Sequence, residues 1–439
     1  MEALIKFFIE TGKLKTLKRR GWVLRGIKDP ETVADHAYRV LVLAWLSGYA
    51  TNLSARRLLK LALVHSLAAV YIHYISPYDK LLEIKNQKAL LKKYPALVLR
   101  APVDKKGKIA LQRFHEENKA IKKLFGNLPE PIKGEAYSLW LDFQNRTSKE
   151  AKFLWVVDKL ENLIQALEYK DYMEKDFLKP FLSQIDRLTD EKRILRLTDS
   201  LNRFFTEGES AVKNRQDKNL IKFIIEVGKV KKVLRKGWVI RGVKEPESLA
   251  SHSFRSALMV WVLSSQKKID QRVLIVMAIF HDLFSALTGD ITPYDATIEK
   301  IKDQDKKKAV VESLPWIGSQ AQKELLAKQR LDREVKALDK ILRYLPHRLR
   351  HELKYFWLEY KTGASKEGRF FRQVDRIEAL LQALEYQTKN KNLPITSFWL
   401  QLKELLDDPR LVGFVAAIDD YYFKKGFRSR PLDKSGKIV

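Results

Sequence analysis

The chain has 439 residues, 45% of them hydrophobic, and this length suggests two or three domains that each bury a core. It contains no cysteine, which excludes disulfides, thiolate catalysis and cysteine-ligated zinc. Lys and Arg number 83 against 54 Asp and Glu, and the net charge of +29 leaves two interpretations open. The excess is either a set of solvated helix faces or a surface that attracts RNA or another polyanion.

Composition also bears on membranes and location. An amphipathic helix pattern begins the chain, in MEALIKFFIETGKLK, and recurs at 217–231. We therefore assign it to the fold and not to a signal peptide. No uninterrupted apolar run approaches the ~20 residues of a membrane span, so we expect no membrane insertion. The lack of cysteine fits a reducing compartment, and we expect a cytoplasmic protein.

One sequence occurs twice in this chain. The segment IKFFIETGKLKTLKRRGW at 5–22 returns as IKFIIEVGKVKKVLRKGW at 221–238, an offset of 216 residues. One residue out of phase, LIQALEYK at 163–170 returns as LLQALEYQ at 380–387. The repeat predicts two fused copies of one domain. Their limits are 1–204 for the N-terminal copy, 205–219 for a linker, 220–426 for the C-terminal copy and 427–439 for a basic tail.

The apolar spacing is helical almost throughout. Three- and four-residue steps run through RRLLKLALVHSLAAV, ESLASHSFRSALMVWVLSS, RVLIVMAIFHDLFSAL and DRIEALLQALEYQ. Pro-Glu-Thr at 30–32 and Pro-Glu-Ser at 246–248 precede apolar runs, and Thr or Ser there is expected to cap the helix that follows. Strand-like alternation is nearly absent. We predict an all-α protein made of two tandem helical bundles.

Four residues of the second copy have the side chains of a metal site. His252 lies in one predicted helix, His281 and Asp282 lie together near the inner end of the next, and Asp375 lies in a later one. Two imidazoles and two carboxylates from three helices could enclose one divalent cation: Mn, Fe, Co, Ni or Zn, or Mg with a substrate phosphate. Taken singly, each has a structural alternative, since a buried histidine is more often hydrogen-bonded and Asp375 could pair with Arg376.

The order H…HD…D resembles the HD-domain metal phosphohydrolases. It lies within ESLASHSFR, MAIFHDLFSALTGDITPYD and QVDRIEALLQALEY, and with GWVIRGV it is most similar to the YfbR-like 5′-deoxynucleotidase group. The resemblance covers nearly the whole of each copy. It implies an HD fold, hydrolysis of a phosphomonoester, most of all a nucleoside 5′-monophosphate, and an internal pseudo-dimer of the two copies. It also implies one divalent metal ion held by His252, His281, Asp282 and Asp375.

The second copy departs from the family pattern at one position. The family glutamate of HDxxE is Ser285 here, whereas the downstream acid is kept as Asp290. Loss of one proton-transfer group predicts a rate lower by about 10²–10⁴-fold. The resemblance makes Asp290 and Asp282 the catalytic candidates. The candidates for substrate binding are Arg235, Trp238 and Arg255, although a tryptophan flanked by Val and Ile is more often a core residue.

The first copy departs further. His36, His65 and Asp158 match three ligand positions, but Ser66 replaces the HD aspartate, and a hydroxyl does not replace a carboxylate ligand. The other lost positions are Ala69 for the glutamate and Tyr74 for the downstream acid, with His73 beside it as a possible substitute ligand. We therefore predict a degenerate N-terminal site.

Two classes of function follow. The first is a divalent-metal-dependent phosphohydrolase whose N-terminal copy is inactive. The second is a non-catalytic pseudoenzyme that binds RNA or a ribonucleoprotein through its basic surface, or that senses a nucleotide. Metal content and phosphate release discriminate between them.

Overall fold

The computed structural model of the chain describes residues 1–72, 103–173, 176–292, 294–299, 301–313, 319–424 and 426. His73, Tyr74 and the predicted basic tail lie outside these residues. Regular structure within them is helical apart from two isolated β-bridges, Lys18 with Thr32 and Leu234 with Ser248. The predicted all-α fold is confirmed, and the predicted pseudo-dimer stays a prediction.

Contacts divide the chain into two compact units. The N-terminal unit is Lys13–Ile225, and the C-terminal unit is Glu226–Val439 together with Met1–Gly12. The units differ from the predicted domain limits at two places. The first helix, α1 (Glu2–Gly12), belongs to the C-terminal unit, and the division falls after the predicted linker 205–219. That linker holds the end of one helix and the start of the next.

In the N-terminal unit the helix Val33–Ala50 packs against Ala55–Val64 and Lys149–Glu168, and Ala55–Val64 packs against Ile132–Asn145. These helices bury the apolar faces that the periodicity predicts. In chain order the helices of this unit are α2 (Arg20–Leu24), α3 (Val33–Ala50), α4 (Ala55–Val64), α5 (Val103–Phe125), α6 (Ile132–Asn145), α7 (Lys149–Glu168), α8 (Lys179–Leu188), α9 (Lys192–Thr206) and α10 (Arg215–Lys229), the last of which crosses the division at Ile225.

The C-terminal unit has the same core arrangement. Four helices pack together, Leu249–Leu263, Gln271–Phe280, His347–Thr362 and Lys366–Lys389, and the short helix Ser285–Thr288 packs against Gln320–Leu342. In chain order the helices are α11 (Lys236–Ile240), α12 (Leu249–Leu263), α13 (Gln271–Phe280), α14 (Ser285–Thr288), α15 (Asp295–Ile298), α16 (Gln304–Ser313), α17 (Gln320–Leu342), α18 (His347–Thr362), α19 (Lys366–Lys389), α20 (Thr396–Leu405) and α21 (Pro409–Phe423).

Helix α1 completes the C-terminal unit. It packs against α12, α19 and α21, and the ring of Phe8 meets that of Phe414 edge-on at a centroid distance of 5.9 Å. Its last residue, Gly12, lies so close to Arg255 that a Cβ there would be 2.5 Å from Nη1 of the guanidinium. Glycine at this position therefore permits α1 to pack over a buried arginine.

The predicted helix starts are confirmed. The Thr32 hydroxyl accepts a hydrogen bond from the Asp35 N–H at 3.1 Å at the start of α3. The Ser248 hydroxyl accepts from the Ser251 N–H at 2.9 Å at the start of α12. Each cap satisfies a backbone donor that the first helical turn leaves without a partner, which typically stabilises a helix by about 1 kcal/mol. These two helices carry His36 and His252.

The predicted helix through the HD pair ends earlier than expected. The α13 helix ends at Phe280, and His281 caps it, with its N–H bonded to Met277 O at 2.9 Å. After this residue the chain turns more tightly, since the Leu283 N–H bonds Phe280 O at 3.1 Å. Asp282 therefore leaves the helical spiral. The same change occurs in the N-terminal unit, where α4 ends at Val64 before His65.

One segment of the described chain is long and apolar enough to cross a membrane. It is Gln271–Thr288, with a mean hydropathy of 1.3, and 61% of it is buried inside the protein. It includes α13, the turn after it and α14. By composition and burial it matches a core helix of this bundle.

Candidate metal centre

His281 presents one nitrogen to the centre of the C-terminal unit. Its Nδ1–H donates to Ala278 O at 2.9 Å, which leaves the lone pair on Nε2. This Nε2 is buried and has no hydrogen-bond partner in the described part of the chain. It lies 3.1 Å from Asp282 Oδ2 and 3.6 Å from Asp375 Oδ1. A buried lone pair that faces two carboxylate oxygens needs a positive group among them.

His252 faces the same point from α12. The ring is fully buried, its Nε2 lies 3.0 Å from Asp375 Oδ1, and its Nδ1 bonds the Glu378 carboxylate. Burial would lower the pKa of His252, and so would Arg235, but Glu378 and Asp375 outweigh both and raise it to about 9. The imidazole is therefore held among negative charges that favour a cation.

The two carboxylates stay ionised. Burial would raise the pKa of Asp375, but the His252 hydrogen bond and the Arg376 charge hold it well below its usual range. Burial would likewise raise the pKa of Asp282, but His281 beside it holds that pKa low. Tyr360 also donates its hydroxyl to Asp375 Oδ2 at 3.0 Å. Both side chains therefore offer charged oxygens at neutral pH.

These residues fit a divalent cation. His252, His281 and Asp282 offer ligand atoms that all lie within 4.8 Å of one another, and Asp375 Oδ1 contacts both histidines. The four predicted ligands thus lie together and offer two nitrogens and two carboxylate oxygens, and their binding of a metal ion stays a prediction. The buried Nε2 of His281 without a hydrogen-bond partner is the observation that favours a metal ion over a purely structural cluster.

Arg255 supports the metal site from within the core and is not exposed to a substrate. The guanidinium is fully buried: Nε donates to Glu378 Oε1 at 2.8 Å, and Nη1 donates to Glu385 at 2.7 Å. Nη2 donates to Gln382 at 3.1 Å. The prediction that Arg255 binds substrate is therefore wrong, because its donors are already used inside the core. Through Glu378, Arg255 positions the His252 ring.

Trp238 is also chiefly a core residue. Its ring is 1% exposed, stacks on Phe398 at 4.9 Å and meets Tyr386 edge-on at 5.1 Å. Its Nε1–H donates to Glu247 Oε1 at 3.0 Å. The packing is that of the core residue that the flanking Val and Ile favour, but the ring also forms part of a pocket wall, and its predicted role in substrate binding stays a prediction.

Arg235 lies between the metal cluster and a pocket. Its Nη1 is 2.6 Å from His252 Nδ1 and 3.8 Å from both Glu247 and Glu378. Since the Nδ1 proton is donated to Glu378, we assign the attraction of Arg235 to the two carboxylates. Its side chain keeps 17% exposure and lines the pocket, as a substrate-binding residue requires.

Asp290 lines the same pocket. Its Oδ2 accepts the Lys236 N–H at 2.7 Å. Burial raises the pKa of Asp290 above its ordinary value, Arg235 opposes the rise, and the charge of Asp282 adds to it. Burial and the Asp282 charge thus favour the protonated form of Asp290 more than in an exposed aspartate, which suits a proton donor.

Ser285 occupies the position of the family glutamate. The side chain is 1% exposed, and its hydroxyl has no hydrogen-bond partner among the described residues. It begins α14, which packs against α17. A hydroxyl here does not act as a base at neutral pH.

The N-terminal unit keeps three of the four ligand positions together. His36 Nε2 lies 3.0 Å from Asp158 Oδ1, and His65 Nε2 lies 3.4 Å from His36 Nε2. These three residues offer ligand atoms within 4.8 Å of one another. Ser66 follows His65 and is buried without a hydrogen-bond partner in the described chain, and Lys159 donates to Asp158 Oδ2 at 2.6 Å. The fourth ligand, a second carboxylate, is missing, and Lys159 competes with a metal ion for Asp158.

Several site residues were missed in the sequence although the repeat could have revealed them. Glu378 holds His252 as Glu161 holds His36, and the offset of 217 residues is the one that relates LLQALEYQ to LIQALEYK. Acidic and amide residues that recur at helical spacing in both copies, as in LLQALEYQ and LIQALEYK, are typical of a hydrogen-bond network inside each copy. Tyr360 left no such signal, because Phe143 stands at the matching position.

Comparisons with known proteins identify the family. Residues 11–196, 227–329 and 320–403 match the HD domain. The 5′-deoxynucleotidase HDDC2 of Mus musculus is 31% identical over 201 residues, which cover 46% of this chain and 86% of that protein. The Homo sapiens counterpart is 30% identical over 203 residues, 46% of this chain and 85% of its own length. The 5′-deoxynucleotidase hdd1 of Schizosaccharomyces pombe is 23% identical over 197 residues, 45% and 87% of the two chains.

Among solved structures, a conserved hypothetical protein from Pyrococcus furiosus is 26% identical, with a TM-score of 0.33, over 46% of this chain and 99% of its own. Each of the three 5′-deoxynucleotidases matches at least 85% of its own length to less than half of this chain, as expected for one copy of a repeat. The chain belongs to the HD domain family and carries two HD copies in tandem.

Proposed function

We propose that this protein is a divalent-metal-dependent phosphohydrolase of nucleoside 5′-monophosphates, active in the cytoplasm through its C-terminal copy alone. The observation that carries the proposal is the convergence of His252, His281, Asp282 and Asp375, with His281 Nε2 buried and without a hydrogen-bond partner in the described chain. Relatives named 5′-deoxynucleotidase support the substrate class.

A cation held by these four residues would bind a phosphate oxygen and lower the pKa of a bound water molecule. The chain supplies the other functions. Arg235 faces the pocket and would bind a phosphate oxygen, and Asp290 would donate a proton to the leaving 5′-oxygen. The bond between phosphorus and the 5′-oxygen breaks, a bond between phosphorus and the water oxygen forms, and the proton that the water loses restores the Asp290 carboxyl. Ser285 provides no base, so we expect slow turnover.

The proposal is tested by phosphate release from a panel of ribo- and deoxyribonucleoside monophosphates, with the full chain loaded in turn with Mn, Co, Mg, Fe, Ni or Zn. Asp282→Ala is the matched negative variant, and Ser66→Ala alters the equivalent position of the other copy. We expect release from the wild type and from Ser66→Ala, and none from Asp282→Ala. Equal background release from all three proteins would refute the proposal.

The second proposal, a non-catalytic protein that binds RNA or senses a nucleotide, is supported by Ser66, by Ser285 and by the charge of +29. Metal and nucleotide binding without turnover of any monophosphate, with salt-dependent RNA binding, would favour it over hydrolysis.

A further inference from the structure

A cleft beside the metal cluster is lined by an excess of arginine. It is formed by α11 and the residues on either side of it, the segment after α14, and side chains of α17, α19 and α20. Four arginines reach it, and Asp290 is the only carboxylate among the described residues that line it. Arg241 is already used, because it donates to Pro394 O and to the Ser397 hydroxyl. The other three are Arg235, Arg330 and Arg376.

Each of the three has an acidic partner on its inner side. Arg235 lies 3.8 Å from Glu247 and Glu378, Arg376 Nη1 lies 3.3 Å from Asp375 Oδ2, and Arg330 Nε donates to Glu334 at 2.8 Å. Such pairs orient the side chains at fixed positions.

Of the three, Arg330 has the guanidinium that is most available to a ligand in the cleft. Its Nε bond to Glu334 leaves both Nη atoms without a partner in the described part of the chain, and its side chain is 36% exposed. Glu334 is 1% exposed and also binds Lys361 Nζ at 2.6 Å. The Arg330 charge acts on Asp290, where it opposes the rise of that pKa. A guanidinium whose Nε is fixed by a buried carboxylate and whose two Nη atoms remain available suits recognition of a phosphate.

We propose that Arg330 and Arg376, together with Arg235, form the subsite for the phosphate dianion of the substrate. The inference rests on the proposed function and assigns its substrate a terminal phosphomonoester, since three guanidinium groups suit a doubly charged group better than a diester. Arg330 comes from a helix that follows the HD pair by about 50 residues and was not singled out in the sequence.

The repeat supplies a matched control for the local role of this residue. Arg113 and Glu117 of α5 form the same pair at an offset of 217 from Arg330 and Glu334. A role limited to pairing on the helix would be shared by both copies. A role in phosphate binding belongs to the copy with the complete ligand set.

The test compares Arg330→Gln, Arg330→Lys, Arg113→Gln and Arg333→Gln in the full, metal-loaded chain. Arg333 is exposed on the same helix and makes the same change of charge without facing the cleft. Inorganic phosphate is the calorimetric probe, and the fastest nucleoside monophosphate is the kinetic substrate. For Arg330→Gln we expect KM and the Kd of phosphate to rise about 10- to 100-fold, with partial recovery in Arg330→Lys. The two control variants should match the wild type.

Bound metal and the affinity for the unphosphorylated nucleoside should not change in Arg330→Gln. If Arg330→Gln and Arg333→Gln bind phosphate equally well, the subsite is refuted even when the wild type turns over. If the wild type hydrolyses no monophosphate but binds phosphate through Arg330, the proposed function fails and the subsite stands. If the wild type does neither, both fail.

Discussion

Replacing Glu378 with glutamine removes the negative charge that holds His252 in place while keeping an oxygen acceptor of nearly the same shape. Glu378 accepts from His252 Nδ1 and from Arg255 Nε. The neutral amide is a weaker acceptor, so the imidazole becomes a poorer donor to a cation and its ring less fixed. We expect metal affinity to fall about 10- to 100-fold, which corresponds to about 1.4–2.7 kcal/mol.

The fold should survive this change. Arg255 keeps two bonds to Glu385 at 2.7 and 2.9 Å and one to Gln382 at 3.1 Å. The lost charge assistance should lower the free energy of unfolding by about 1–3 kcal/mol. Glu161→Gln is the matched control, because Glu161 binds His36 and Arg39 in the N-terminal unit. It should destabilise that unit similarly and leave metal binding unchanged.

Competition titration with a chromogenic chelator measures the metal affinity, and thermal unfolding of the metal-free proteins measures the structural cost. Unchanged metal affinity in Glu378→Gln would show that the Glu378 charge does not position His252 for metal binding. Equal loss of affinity in Glu378→Gln and Glu161→Gln would refute the assignment of the metal to the C-terminal unit.

Three more predictions concern turnover and charge. Ser285→Glu should raise the rate of phosphate release by about 10²-fold or more, because it restores a positioned base; a variant that binds metal without any gain counts against this. Asp290→Asn should lower kcat while bound metal stays the same, as measured by steady-state kinetics beside elemental analysis; an unchanged kcat would remove Asp290 as proton donor. RNA binding should weaken steeply from low to physiological salt and survive His281→Ala, and binding indifferent to salt in a filter assay would exclude a charged surface as its cause.

The candidate ligands could be named from the sequence because each pairs a metal-binding side chain with a recognisable helical pattern around it. His252 follows a capped helix start, and His281 and Asp282 are adjacent after an apolar helix, so their side-chain types and spacing carry the signal. The tighter turn at His281 was not predictable from apolar spacing, since the run continues through Leu283 and Phe284. Only the backbone bonds of that turn reveal where the helix ends.

The roles of Arg255 and Trp238 could not be read from the sequence. An arginine three residues after a metal ligand is equally suited to a substrate or to an internal carboxylate, and the partners that decide lie more than 120 residues away. Glu385 and Gln382 use the guanidinium, and Phe398 covers the indole ring. Long-range packing decided both cases.

The placement of α1 was equally beyond prediction. Its sequence IKFFIETGKLK and the later IKFIIEVGKVK have almost the same apolar pattern, so either segment suits either bundle. Pattern alone does not distinguish the two bundles.

The number of metal ions per chain shows whether the C-terminal copy alone holds a cation. Elemental analysis of the purified full chain, after loading with Mn or Co and removal of free metal, should give one equivalent. Asp282→Ala should lose it and Ser66→Ala should keep it, because the complete ligand set lies in the C-terminal unit and the N-terminal site lacks a carboxylate. The claim of one metal ion in the C-terminal unit would be wrong if the wild type held two equivalents or none. It would also be wrong if Asp282→Ala kept its one equivalent.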